Sequence, residues 1–257
     1  MHRRTASMVA AILAIASVPT AAQWLDFPTP GIPRLPDGKP NLTSPAPRTA
    51  DGKPDLSGIW EADKYYLDAS SRGLEPDDVV LTPEGELLWQ RERQARGAAV
   101  RCLPMSLPAM SGIPGFPFKV LHSTGVTTIL YESFGGFRQV FTDGRRLPED
   151  PNPTWVRYSV GTWEDDSLVV DTSGFNDAIA LGLGGGHPRS ESLHIVERFR
   201  RRDFGHMEIR FTIDDPKVYK KPWRFTEEVH LLPDTELLEY VCDENERDLK
   251  HMVGGDR

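Results

Sequence analysis

Two glutamates occupy positions that the surrounding pattern reserves for apolar side chains. In Leu193-His-Ile195-Val-Glu197-Arg-Phe199 every second residue is apolar except Glu197; in Phe225-Thr-Glu227-Glu-Val229-His-Leu231 the exception is Glu227. Side chains alternate between the two faces of a strand, so both carboxylates are predicted to point with their apolar neighbours, into a core or a cavity. A carboxylate taken out of water is costly unless it meets an arginine, a proton or water. Two of them in one cavity would divide the work of acid and base, one keeping its proton while the other stays ionised. The competing expectation is that each is braced by an arginine, Arg138 or Arg198, and does no chemistry.

Other groups fit supporting roles. Arg138 or His194 would orient a substrate or steady a developing oxyanion. His194 lies three residues from Glu197, on the opposite face of a regular strand unless a bulge intervenes. Asp177 and His187, with Asn176, fall in the stretch 174–192, whose Gly182 to His187 run reads as a lid over a cavity mouth, or as a loop of no consequence. Tyr131, Trp155, Tyr158 and Phe175, with Trp163, offer aromatic surface for an apolar guest, or equally for a packed core. Asp143 belongs to an Asp-Gly turn, which explains it; Arg145 beside it has no explanation in the sequence. Asp177, His187 and His194 lack the spacing of a metal site, so none is expected. There is no Gly-x-Ser-x-Gly, dinucleotide fingerprint or phosphate loop, so no cofactor is expected either.

The elements that would hold these residues are mostly strands. Period-two patterning predicts strands at 118–123, 126–132, 137–142, 156–163, 167–173, 193–202, 206–214, 224–232 and 236–242, after a short opening strand in Leu56-Ser-Gly-Ile-Trp60. Turn chemistry separates them, as at Gly135-Gly136, Asp143-Gly144 and Pro233-Asp234. Successive hairpins predict an all-β antiparallel meander, and closure into a barrel of about 8–10 strands removes the exposed edges. Thr82-Pro83-Glu84 predicts one short helix, about 83–96, and the proline- and glycine-rich 101–117 reads as a covering loop.

Before the barrel, residues 23–55 read as a proline-rich extended arm with an internal echo, Arg34-Leu-Pro-Asp-Gly-Lys-Pro-Asn-Leu42 and Arg48-Thr-Ala-Asp-Gly-Lys-Pro-Asp-Leu56. Residues 1–22 read as a secretory leader: Arg3 and Arg4, then an apolar stretch from Met8 to Val18 too short to cross a bilayer, then Thr20-Ala21-Ala22. The predicted organisation is therefore leader 1–22, arm 23–55, one barrel domain 56–246 with the lid 174–192, and a tail 247–257. Without the leader the chain has 28 basic and 38 acidic side chains, a net charge of −10, which argues against nucleic acid and anionic membrane surfaces as partners. In an oxidising compartment Cys102 and Cys242 are expected to form one disulfide, the alternative being two buried thiols.

Several stretches carry a resemblance. Asp51-Gly-Lys-Pro-Asp-Leu-Ser-Gly-Ile-Trp60, Phe141-Thr-Asp-Gly-Arg145, Pro153-Thr-Trp155, Gly161-Thr-Trp-Glu-Asp-Asp-Ser-Leu-Val-Val-Asp-Thr-Ser-Gly-Phe-Asn-Asp177 and Leu193-His-Ile-Val-Glu-Arg-Phe199 resemble a large, mostly uncharacterised family of exported bacterial β-rich proteins. Gly58-x-Trp60 at the head of a meander is similar to the opening of lipocalin-like barrels. That resemblance implies a tryptophan plugging one end and a cavity for a small apolar molecule.

These readings predict an exported, cofactor-independent enzyme of lyase, hydratase or isomerase type, acting on a small, partly apolar molecule through Glu197 and Glu227. The alternatives are a non-catalytic periplasmic binder of such a molecule, and a structural envelope module filled by its own side chains.

Overall fold

The computed structural model describes residues 27–64, 74, 77–94, 102–155, 157–176, 181, 187–242 and 244. The expected leader and tail, Asp177 and most of the Gly182 to His187 run lie outside the described residues. Nine strands form a closed barrel in sequence order. They are β1 (Gly58–Ala62), β2 (Phe118–Ser123), β3 (Val126–Tyr131), β4 (Phe137–Phe141), β5 (Tyr158–Glu164), β6 (Ser167–Ser173), β7 (His194–Arg201), β8 (His206–Asp214) and β9 (Trp223–Leu231). Alternation decides the interior. Met207, Ile209, Phe211 and Ile213 of β8 are fully buried, and so are Ile195, Glu197 and Phe199 of β7 and Phe225, Glu227 and Val229 of β9. Phe211 and Phe225, opposite one another in register, stack with ring centroids 4.8 Å apart.

The meander departs from expectation twice. The stretch 236–242 is not a strand; β1 closes the barrel instead, pairing with both β2 and β9. The second departure is at β4 and β5, which run parallel and share only two register pairs, Val140–Ser159 and Phe141–Val160. A parallel neighbour requires the chain to travel back along the barrel first. Residues 142–157 make that return. Pro148, Pro151 and Pro153 lack the N–H groups that a sheet ladder needs there.

The upper end of the barrel carries the β3–β4, β6–β7 and β8–β9 connections. It is closed by the segment after the helix, which does more than cover: Met105 through Ile113 are all buried and join the core. A disulfide, Cys102–Cys242, ties this segment to the chain beyond β9, with Cα atoms 5.6 Å apart. The ring of Tyr240 packs edge-on against Phe116 and Phe134, at 5.5 and 5.4 Å. The single described α-helix, α1 (Pro83–Gln94), starts where its capping signal predicted: the Gly85 N–H donates to Thr82 Oγ1 at 3.0 Å. A side chain at Gly85 would meet the Val218 carbonyl oxygen at 2.3 Å, so glycine is what lets α1 dock on the β8–β9 connection.

The lower end is closed by the arm, whose echo is structural. In each copy the chain turns at a left-handed glycine, Gly38 (φ +84) or Gly52 (φ +82). The arginine ahead of each turn, Arg34 or Arg48, donates to that glycine's carbonyl, at 3.1 and 2.8 Å respectively. Each arginine then reaches a barrel carboxylate with two further bonds: Arg34 to Asp234, Arg48 to Asp166 in the β5–β6 turn. What reads in sequence as an extended linker is a pair of stapled turns. Behind them Trp60 is fully buried, its Nε1 donating to Leu56 O at 3.0 Å. Arg201 lies over its ring at 4.8 Å and donates to the backbone oxygens of Asp55, Ser57, Asp203 and Phe204. Burial pushes its guanidinium down to about 10, against a weaker opposing pull from Asp55 and Asp203.

Candidate functional site

Glu197 and Glu227 both face inward, as alternation predicts, yet they are not one acid/base pair. Glu197 sits opposite Phe211 of β8 and Glu227 opposite Ile209 of the same strand. A whole strand and a two-residue offset separate them, about 12 Å along the sheet from strand spacing and rise. That separation is between backbones; the Glu197 carboxylate itself is committed elsewhere.

Glu197 is instead the end of a buried network crossing four strands. Arg138 on β4 donates from Nη1 to Glu197 Oε1 at 3.0 Å and from Nη2 to Oε2, a two-pronged ion pair with both side chains almost wholly out of water. The same guanidinium donates to Ser159 Oγ of β5 at 2.9 Å and to Thr172 Oγ1 of β6 at 2.6 Å. Burial alone would lower the Arg138 pKa, but Glu197 and Tyr131 outweigh it and hold the guanidinium above its ordinary value. Burial likewise pushes the Tyr131 phenol up, with Arg138 pulling it partly back. Arg138 lies just beyond the short parallel pairing of β4 with β5, so the network clasps the barrel where its ladder is weakest. Arg198, the other expected brace, points outward and pairs with Glu164.

Other expected site residues stand elsewhere. His194 is on the outer face, its Nε2 3.4 Å from Asp171 Oδ1, because β7 continues without a bulge between it and Glu197. Tyr158 also points outward, since Ser159 takes the inward position; a side chain at Gly174 would meet its ring at 2.6 Å. Trp155 is 37 % exposed, on the returning segment outside the barrel. These three do not line the interior. Arg145, unexplained by sequence, grips Asp143 and covers the Phe141 ring at 3.7 Å.

The described part of the expected lid is fastened. Buried Asp215 accepts from Ser190 N at 2.6 Å and from Ser190 Oγ at 2.8 Å, and Tyr219 donates to Pro188 O at 2.6 Å. His187 rests on Trp223, ring centroids 4.9 Å apart, and burial lowers its pKa. Residues 187–192 are thus built into the upper end.

Phe175 is where the sequence reading and a missed feature meet. It is fully buried at the upper end, and two guanidiniums flank its ring, Arg157 at 4.9 Å and Arg189 at 5.3 Å. Neither arginine carries a sequence signal. Arg157 sits just before β5 in left-handed backbone (φ +65), which a branched-at-Cβ residue would resist and arginine tolerates at a cost. Its Nη2 donates to Met105 O at 3.3 Å and its Nη1 to Met110 Sδ at 3.9 Å, both long contacts to neutral acceptors. Its Nε is shut off from water with no hydrogen-bond partner among the described residues, while the residue as a whole is half-buried. Burial, then repulsion from Arg189 and Arg138, pushes Arg157 down to about 9, still a cation at neutral pH. Arg189 is buried and donates to Asn176 Oδ1 at 3.2 Å.

In comparisons with family models, curated proteins and solved structures, none matches this chain.

Proposed function

We propose that the protein is an exported binding barrel for a small molecule with an anionic head and an apolar body, and that Arg157 receives the head. The observation that carries this reading is the state of Arg157: a cation on a half-buried residue, crowded by two other guanidiniums, with no carboxylate among its hydrogen-bond partners in the described residues and one N–H unmatched. A carboxylate or sulfonate would replace two long, neutral contacts with a charge-assisted, two-pronged pair and relieve the crowding. Phe175 and the Met105–Met110 segment are the apolar and polarisable packing around the guanidinium, which a body entering there has to part. The chain's excess of acid does not oppose this, because surface charge is screened within about 10 Å at ordinary ionic strength. Export is supported by the leader read in residues 1–22 and by a disulfide of the kind that persists in oxidising compartments. Among the described residues no helix is long and apolar enough to cross a membrane.

This reading is preferred to acid/base catalysis because Glu197 already spends both oxygens on Arg138, whereas a general base needs a lone pair within reach of substrate. The test is calorimetric titration of aryl and alkyl carboxylates beside their neutral amides. The acids are expected to bind at least about tenfold more tightly than the amides, the value of one charge-assisted pair. Arg157→Gln should remove that preference and Arg157→Lys keep part of it, with the circular dichroism spectrum unchanged in both. Equal affinity for acid and amide would sink the reading.

A further inference from the structure

The lower end of the barrel carries a second gathering of positive charge, separate from Arg157. Arg200, Arg201 and Arg202 are consecutive at the end of β7 and the start of its turn into β8. Alternation sends Arg201 inward onto Trp60 and leaves Arg200 and Arg202 exposed on the outside, about 7 Å apart along the chain. The second arm turn then lays Arg48 beside them. Between the arm at Pro47 and these side chains lies a cavity of about 540 Å³, lined by four arginines and a single carboxylate, Asp166.

The charges in this cavity do not cancel. Asp166 is matched by Arg48, which holds it with bonds of 2.9 and 2.7 Å. Arg202 shares Glu228 at 2.7 Å, a residue that does not line the cavity. Arg201 donates to backbone oxygens only. Arg200 stands in no ion pair among the described residues. A concave surplus of guanidinium on a chain with eight more acidic than basic groups is a departure from its own surface. Two of the four cations are also fixed in advance, Arg48 by Asp166 and Arg201 by the backbone. A preset guanidinium beside exposed ones suits an oxyanion with several acceptor oxygens, since each planar fork takes two of them.

We propose that this cavity binds a phosphate- or sulfate-type oxyanion, with Arg200 and Arg202 as its donors and Arg48 as a fixed positive wall. Such a group is carried by free phosphates and by the headgroups of envelope lipids alike. The experiment therefore has two arms: calorimetry with inorganic phosphate and pyrophosphate at low and physiological salt, and co-sedimentation with phosphatidylcholine vesicles with and without phosphatidylglycerol. The double variant R200Q/R202Q is compared with R224Q, which removes an exposed arginine at the opposite end; melting temperatures confirm that both fold. A loss of pyrophosphate binding of tenfold or more in the double variant alone, largest at low salt and narrowing as salt screens the charges, supports a soluble ligand. The same loss confined to phosphatidylglycerol vesicles supports a lipid headgroup. Absence of binding in both arms, or an equal loss in R224Q, overturns the proposal.

Discussion

Glu197 shows how one residue can advertise chemistry and deliver architecture. Its inward orientation follows from alternation alone, but its role depends on Arg138, which is 59 residues away in sequence. With both partners out of water, the pair's worth lies less in net attraction than in the cost of breaking it. Glu197→Gln leaves a guanidinium without its opposing charge and is expected to cost about 3–5 kcal/mol in urea denaturation. Replacing both partners together, as Arg138→Met with Glu197→Met, should recover most of that loss, since an apolar pair of similar volume fills the space without a stranded charge. If Glu197→Gln leaves the unfolding midpoint where it was, the clasp is not structural and the carboxylate returns as a candidate acid or base.

The arm shows the same dependence one level up, at its junction with the barrel. The Leu56 N–H donates to Nε2 of His122 at 3.1 Å, so that nitrogen carries no proton, and Nδ1 faces Thr127 Oγ1 at 3.0 Å as the donor. Burial lowers the His122 pKa from 6.5, with Asp55 and Asp51 offsetting part of it. Below 6.5 the unfolded chain therefore binds a proton that the folded one resists. The stability from this residue is present above 6.5 and is lost as pH falls through the lowered folded value. His122→Leu should flatten the stability curve in that window. It should also cost about 1 kcal/mol above it, where the Leu56 N–H loses its acceptor. Denaturation curves of both proteins across the window check this, and an unchanged slope would contradict it.

Across the molecule, two closures at opposite ends make a shell of strands into a stable unit. The lower is local in sequence, the arm preceding β1. The upper joins distant parts, because the disulfide spans 140 residues and encloses every strand from β2 to β9. A loop of that length gives a cross-link worth about 4–5 kcal/mol in the chain-entropy account. Reduction, or the change of both cysteines to serine, should lower the urea midpoint accordingly. It should also raise hydrogen exchange first in 105–113, the segment the bond anchors. Exchange that rises evenly over the barrel would show that the upper closure does not depend on the bond.

Local pattern was enough for most of the barrel. Met207 to Ile213 and Phe225 to Leu231 alternate because one side of each strand must be dry, and that requirement is written into consecutive residues; the start of α1 and the inward turn of Glu197 were legible for the same reason. The parallel seam at β4 and β5, the exclusion of 236–242 from the sheet, the outward position of Tyr158, and the crowding of Arg157 were not. Each depends on which distant segment arrives beside it, and a run of residues carries no record of its neighbours across the fold. Charge makes the point most sharply: an arginine reads alike in any sequence, and whether it braces, packs or waits for an anion is settled by the groups brought around it.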